Sequence, residues 1–328
     1  MGRRPVVAIA HSEDDQASLR QALGLLSGGR SRLGGRPPND PARHDDGFAG
    51  KTVVIVPNWV KAMPPETGAV VGPDVLGTLI QELGAHRPKR IVVAAGSGGD
   101  PTPRVFKDLG FDRVIRATGA DFVDLNHGPF TEIDISRQAD GDGHVPFPTR
   151  LKVNRLYEEM DVLVSFTVIK VHEEAVASLS LKNVALSWPP AEIHGFPKKR
   201  QGLHEDLHAF ISAMAWAFPI NLAVLSGCPA MVGTGPVGGK AVWTGLMIAG
   251  TDPVAVDVVG ARLLGFLPQA VGYLDRLMRA GRGEGDLRKV EFRGVPLPEA
   301  ELIFSRAAYG APIALDKEKL RPVHLPRH

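Results

Sequence analysis

The 328-residue chain has one cysteine, Cys228. A single thiol closes no internal disulfide and builds neither an iron–sulfur cluster nor a multi-thiolate zinc site from this chain. A reducing compartment, and with it a cytoplasmic location, is the expectation. Tyrosine is scarce, at three residues, and no stretch interleaves aromatics with Lys and Arg as a base-stacking surface would. An excess of one charge is also missing: 38 Lys+Arg against 36 Asp+Glu leave a formal +2, so a nucleic-acid partner is not expected. The start, Met1-Gly2-Arg3-Arg4-Pro5, lacks the apolar core and small-residue cleavage site of a signal peptide. The longest uncharged stretch, Ala209 to Gly239, is interrupted by Pro219, Asn221, Pro229 and Pro236. It reads as a buried helix, a turn and a buried strand from Leu222 to Leu225, not as a membrane span. No internal repeat is apparent.

What remains has the balance of a globular protein, 44% hydrophobic and 23% charged. Strand patterns at 6–10, 51–56, 90–95, 120–125, 130–135, 162–169, 222–225, 242–248 and 289–292 alternate with helical ones at 13–27, 73–83, 174–186, 203–218, 252–264 and 269–280. This alternation indicates an α/β fold, a mostly parallel or mixed sheet flanked by helices. Residues 1–50 form an N-terminal strand and helix followed by a Gly/Arg-rich loop from Gly28 to Gly50, residues 51–310 a single α/β domain, and 311–328 a surface tail. The long 28–50 loop is either a lid or a spacer. A polar loop at 137–149 is the one candidate boundary between two lobes, with a site between them.

The stretch Asp161 to His208 concentrates Lys and His as no other part does. The run Val162-Leu163-Val164-Ser165-Phe166-Thr167-Val168-Ile169 is β-branched-rich without alternation, the pattern of a strand buried on both faces. Lys170 follows it at once. A buried unpaired ammonium is expensive, so Lys170 is expected at the strand's carboxyl end, facing a crevice or an acidic partner. His172 could point the same way. Lys182-Asn183 closes the segment 174–186 and could hold a carboxylate or phosphate, or simply cap a helix. Lys170 and His172 could equally be a solvated Lys and a hydrogen-bonded His.

Other motifs are weaker. His204-Glu205-Asp206-Leu207-His208 is a literal HExxH, which on a helix would set two histidines on one face for zinc. The charged Asp206, the missing HxxGxxH extension and the absence of Glu between Glu205 and Glu284 all argue against a protease. Gly233-Thr234-Gly235-Pro236-Val237-Gly238 matches GxGxxG, but Pro236 interrupts it and a β-rich segment follows, which is the wrong context for a dinucleotide site. A loop lining the central site is the better reading of Gly233 and Gly235. Gly96-Ser97-Gly98-Gly99-Asp100 follows a strand and is either an anion-binding turn, with Ser97 at a substrate, or only a tight turn. Asp252-Pro253 reads as a helix start. Asp257 lies in the apolar run Val254-Ala255-Val256-Asp257-Val258-Val259 and should be paired, with Lys170 or Lys182 as the candidate partner.

Taken together, these pieces resemble the domain of unknown function 362 family, a prokaryotic family with many uncharacterised members. The resemblance runs from about Lys51 to about Leu267. It is carried by Pro57-Asn58, Lys170-Val171-His172, Leu181-Lys182-Asn183, the His-containing segment 194–208, Gly233-Thr234-Gly235-Pro236, and Gly250 to Asp257. The chain departs from the family pattern at Val56, where a Lys usually stands, and at Ser226-Gly227 and Val232, where acidic residues are frequent. Many members carry ferredoxin-like cysteine clusters, which this chain cannot form. A distant similarity of fold to the nickel-pincer lactate racemases, which place Lys and His around an organic acid, is an analogy only.

The expectation is an enzyme acting on a small anionic substrate by isomerisation or proton abstraction, with Lys170, His172, Lys182 and Asp257 catalytic. Asn58, Asn183, Gly233, Gly235 and Ser97 would contact substrate. His194, His204 and His208 are candidates for a divalent metal. The alternatives are a non-catalytic binding or redox accessory protein and, third, an HExxH zinc hydrolase.

Overall fold

The computed structural model describes residues 4–27, 47–136 and 145–311. Most of the 28–50 loop, much of the 137–149 loop and nearly all of the 311–328 tail lie outside the described residues. In chain order the strands are β1 (Val6–His11), β2 (Thr52–Pro57), β3 (Arg90–Ala95), β4 (Asp121–Asp124), β5 (Phe130–Asp134), β6 (Arg150–Asn154), β7 (Val162–His172), β8 (Val176–Ser178), β9 (Leu222–Val232), β10 (Lys240–Val242), β11 (Leu246–Gly250) and β12 (Glu291–Gly294). The helices are α1 (Asp15–Ser27), α2 (Pro73–Gly84), α3 (Thr102–Asp108), α4 (Phe111–Thr118), α5 (Leu156–Glu159), α6 (Ser180–Ser187), α7 (Ala191–His194), α8 (Leu207–Ala217), α9 (Pro253–Leu263), α10 (Gly272–Arg279) and α11 (Leu297–Tyr309).

One sheet organises them, with strand order β12-β1-β11-β9-β7-β2-β3-β4. The five strands β4, β3, β2, β7 and β9 are mutually parallel. β11 runs antiparallel to both β9 and β1, and β12 is parallel to β1. The expected mixed, mostly parallel α/β sheet is therefore what forms. β2, β7, β9 and β11 are buried at every position, as strands covered on both faces must be. Alternation sorts their side chains: Val53 and Ile55 join a core with α1, α2 and α4, while Val54 and Val56 join one with α6, α8 and α9.

The N-terminal unit is not separate from this sheet, because β1 sits inside it between β11 and β12. The sheet likewise takes strands from both sides of the proposed boundary at 137–149; among the described residues, only the β5–β6 ribbon stands apart. Six further elements had escaped the sequence patterns: β6, α3, α4, α5, α7 and α11. The segment 174–186, expected as one helix, is instead a turn, the short β8 and α6. Val176 has a positive φ of 64°, and β8 folds back so that Lys170 faces Ser178.

The sheet has a switch point between β2 and β7. From β2 the chain builds outward through β3 and β4; from β7 it builds the other way through β9. The crevice beyond the carboxyl ends of β2 and β7 is where such sheets bind ligands.

Candidate functional site

A cavity of about 380 Å³ lies at that crevice. Asn58, Trp59 and Lys61 line it just after β2, Gly96, Gly98 and Gly99 just after β3, and Lys170 and His172 at the end of β7. Lys182, Asn183 and Ser187 come from α6, and Pro197, Lys198, Lys199 and His204 from the segment that follows α7. Pro236 and Val237 close one side. Five lysines face two glutamates, Glu173 and Glu174, across this lining, so its balance of charge is cationic.

Three of the lysines are buried: Lys170 at 2% exposure, Lys182 at 7% and Lys198 at 3%. They are satisfied differently. Lys170 Nζ donates to Ala69 O at 2.8 Å and Pro236 O at 3.4 Å. Lys198 Nζ donates to Gly96 O at 2.7 Å and to Leu186 O and Ser187 O at 3.2 Å each. Lys198 thereby ties the β3 loop to the end of α6. Gly96 must be glycine there, since a Cβ would stand 2.0 Å from Ser187 O. Lys182 Nζ has neither a hydrogen bond nor an ion pair among the described residues.

The electrostatics follow. Burial, reinforced by the Lys182 charge, pushes the Lys170 amine down to about 7. Burial takes Lys182 down to about 8 against an opposing pull from Glu174, and Lys198 to about 7 against Asp124. Lys198 was missed in the sequence because Pro197-Lys198-Lys199-Arg200 reads as a solvated basic run; only distant carbonyls bury it.

His172 is held by its own turn. Its Nδ1 accepts from the backbone N–H of Glu174 at 3.1 Å and of Ala175 at 3.2 Å. The ring proton therefore sits on Nε2. Burial first, then the charges of Lys182 and Lys170, lowers its pKa to about 2. His172 is thus a neutral N–H donor at the cavity, and the acid–base role expected of it does not suit this geometry.

The asparagines pin the walls. Asn58 donates to Ala69 O and accepts from Val71 N–H, which fixes the carbonyl that also holds Lys170. Asn183 donates to Val56 O and Ser165 Oγ, docking α6 on β2 and β7; both line the cavity. Ser97 does not: its hydroxyl donates to Val60 O and its N–H to Thr102 Oγ1, so it is a turn residue. Gly233, which is exposed, and Gly235 do not line the cavity either. Gly235 allows its loop to press on Val171, where a Cβ would stand 2.0 Å from the carbonyl oxygen, and this places Pro236 against Lys170. No helix follows Gly233–Gly238; β10 does, so the dinucleotide context is absent.

Asp257 is the main correction. It pairs with neither lysine. From α9 its Oδ1 accepts from Ser180 N–H at 2.9 Å and Ser180 Oγ at 2.5 Å, and its Oδ2 from Leu181 N–H at 3.0 Å. A carboxylate at the first N–H groups of α6 satisfies donors that the helix cannot satisfy itself. Burial outweighs these bonds and raises the carboxyl to about 7. Asp257 positions the helix that carries Lys182 and Asn183, and it does not line the cavity.

The three candidate metal histidines are not brought together. His194 is buried with Nδ1 3.2 Å from Arg200 O. His208 Nδ1 accepts from Tyr273 N–H at 3.1 Å. Only His204 lines the cavity, with Nδ1 on Glu174, whose other oxygen meets Lys199 Nζ at 2.5 Å. Asp206 caps α8 by accepting from Ala209 N–H, so His204 precedes the helix and His208 lies within it. The one-face HExxH arrangement does not form. Among the described residues no group of three or more His, Cys, Asp or Glu is placed to hold a metal ion.

No helix among the described residues is long and apolar enough to cross a membrane. No curated protein matches the chain in sequence. Among solved structures it is similar to the lactate racemase apoprotein from Thermoanaerobacterium thermosaccharolyticum, at 17% identity and a TM-score of 0.42 over 80% of this chain. The chain spans 57% of that protein's length, and a likeness at this level carries no argument about the site. The model of the domain of unknown function DUF362 matches residues 53–262, which include β2 to β11 and every lysine, histidine and asparagine placed in the cavity. With well over half of its length matched, the chain belongs to the DUF362 family.

Proposed function

We propose that the cavity binds a small carboxylate or phosphate and that the protein is an enzyme transferring a proton at a carbon beside that group. One observation carries the reading: Lys182, 7% exposed at the cavity wall, has an ammonium with no hydrogen-bond or ion-pair partner among the described residues. An isolated buried charge is disfavoured by several kcal/mol, and a ligand anion is what would balance it. In this reading Lys182 holds the anion, His172 Nε2–H donates to an oxygen that gains negative charge, and Lys170 moves the proton. A lysine at about 7 is divided between amine and ammonium near neutrality, which suits a group that must accept and return a proton. His172 as a neutral donor resembles the use of uncharged imidazole elsewhere as an electrophile.

Ligand-dependent unfolding tests the reading. A ligand at about 100 times its Kd stabilises the folded state by roughly 2.7 kcal/mol. Inorganic phosphate or one of a panel of short carboxylates should raise the unfolding midpoint, and neutral amides of the same acids should not. Equal shifts from the neutral amides would contradict it.

A further inference from the structure

We propose that Lys170 is a nucleophile that forms an imine with a carbonyl-bearing anion, with short 2-oxo carboxylates as the substrate class. The proposal rests on the anion-binding reading above and adds a covalent step to it.

The hydrogen bonding around Nζ carries the argument. An ammonium has three N–H groups and a neutral amine two. Lys170 meets two carbonyl acceptors, Ala69 O and Pro236 O, and its remaining valence is left for the cavity it lines. The protein satisfies the amine completely and leaves its lone pair available. Lys198 is the internal contrast: three carbonyls surround it, so all three N–H groups of an ammonium are satisfied and no lone pair is presented. Lys182 differs again, with an ammonium that has no acceptor. The same cavity therefore holds one lysine with two carbonyl acceptors, one with three and one with none. Nucleophilic lysines arise where burial and a second cation favour the free amine, and both conditions act on Lys170.

The remaining groups match the two ends of a 2-oxo acid. The carboxylate would sit on Lys182. The carbonyl oxygen would take the Nε2–H of His172, which has no protein acceptor among the described residues. In the step, Lys170 Nζ adds to the carbonyl carbon as the C–O π bond breaks, and the oxygen takes a proton from the Lys182 ammonium. The nitrogen of the adduct then loses a proton back to Lys182. The hydroxyl takes a proton from the Lys182 ammonium and leaves as water as the C=N bond forms, and the iminium nitrogen returns that proton to Lys182. Amine plus carbonyl gives imine plus water, with no change of oxidation state. Imine formation makes C3 of the 2-oxo acid, the carbon on the far side of the former carbonyl from the carboxylate, easier to deprotonate.

The test is reductive trapping on the intact protein. The full-length protein is incubated near pH 7 with pyruvate and sodium cyanoborohydride, and adducts are located by peptide mass mapping. At that pH a lysine near 7 is about half amine, whereas an ordinary lysine near 10.4 is amine in fewer than about one molecule in a thousand. The expected result is one reduced pyruvate adduct, on Lys170, in at least tenfold excess over any other lysine. Lys170→Arg, whose guanidinium forms no such adduct, should abolish it, and mapping the wild-type protein locates the adduct even if that variant fails to fold. Adducts spread over surface lysines, placed on Lys182 or Lys198, or absent overturn the proposal. Acetaldehyde separates the two readings. If it labels Lys170 as readily as pyruvate does, the anion-binding reading fails while the amine's nucleophilicity stands. If phosphate and carboxylates stabilise the fold but neither pyruvate nor acetaldehyde labels Lys170, the imine fails and the anion site stands.

Discussion

Replacing Lys182 by Met abolishes stabilisation by phosphate and carboxylates and, at pH 6, makes the unliganded protein more stable than the wild type. The two effects have one cause. The Lys182 side chain is largely buried, and its ammonium has neither a hydrogen bond nor an ion pair among the described residues, so the cost of desolvating it opposes folding until a ligand anion arrives. Met matches its length and apolar stem, and no bond is broken by the change. Replacing buried charges by apolar groups of similar volume stabilises proteins by about 1–4 kcal/mol in favourable cases. The pH dependence identifies the mechanism. The folded-state pKa of Lys182 is lowered, from 10.5 to about 8, the reverse of a lysine that gains a partner. Between those values the unfolded chain binds more protons than the folded one, so wild-type stability rises with pH across that window. Below about 8 both states are protonated and the penalty is fully present. The advantage of Lys182→Met should therefore be largest at pH 6 and shrink toward pH 10. Urea unfolding at both pH values checks this, and an equal or growing advantage at pH 10 would sink the explanation.

Asp257→Ala has the opposite result, a loss of about 3 kcal/mol or more in urea unfolding, because it strands two buried backbone N–H groups and a hydroxyl. These belong to the first turn of α6, so ligand stabilisation should fall as well, although Asp257 is outside the cavity. Asp257→Asn keeps one acceptor oxygen and should lose roughly half as much. The titration has its own sign. Burial raises the carboxyl from 3.8 to about 7, so the folded state holds a proton that the unfolded state releases. This group's contribution is full below about 4 and is lost as pH rises through 7. Asp257→Asn should flatten that part of the profile. A variant as stable as the wild type, or one with unchanged ligand response, would show that Asp257 does not position α6.

How far the sequence revealed this can be judged from single residues. The unbroken apolar run before Lys170 marked a buried parallel strand and placed the lysine at its carboxyl end, because strand burial is written in local composition. The same run did not show that β7 continues to His172 and folds back through β8, where Nδ1 of His172 accepts hydrogen bonds from two backbone N–H groups of the turn. Asp257 was legible as a carboxylate needing partners. Its partners are N–H groups of α6, which every residue but proline carries, so composition could not name them. Lys198 was hidden because its burial depends on carbonyls from the loop after β3 and from the end of α6. The HExxH pattern had one usable local cue: Asp206 is a good N-cap, and a cap there starts the helix after His204 and separates the two histidines.

The most direct test of the central claim, that buried and electrically unbalanced lysines await an anion, is calorimetric proton counting. The short carboxylate that stabilises most strongly is titrated into the protein at pH 6 and pH 8, in buffers of different ionisation enthalpy. An anion beside Lys182 favours its charged form. Binding at pH 8 should therefore draw up as much as about half a proton, given a pKa of about 8, and binding at pH 6 almost none. Proton release at pH 8, or no proton exchange at either pH, would contradict the account.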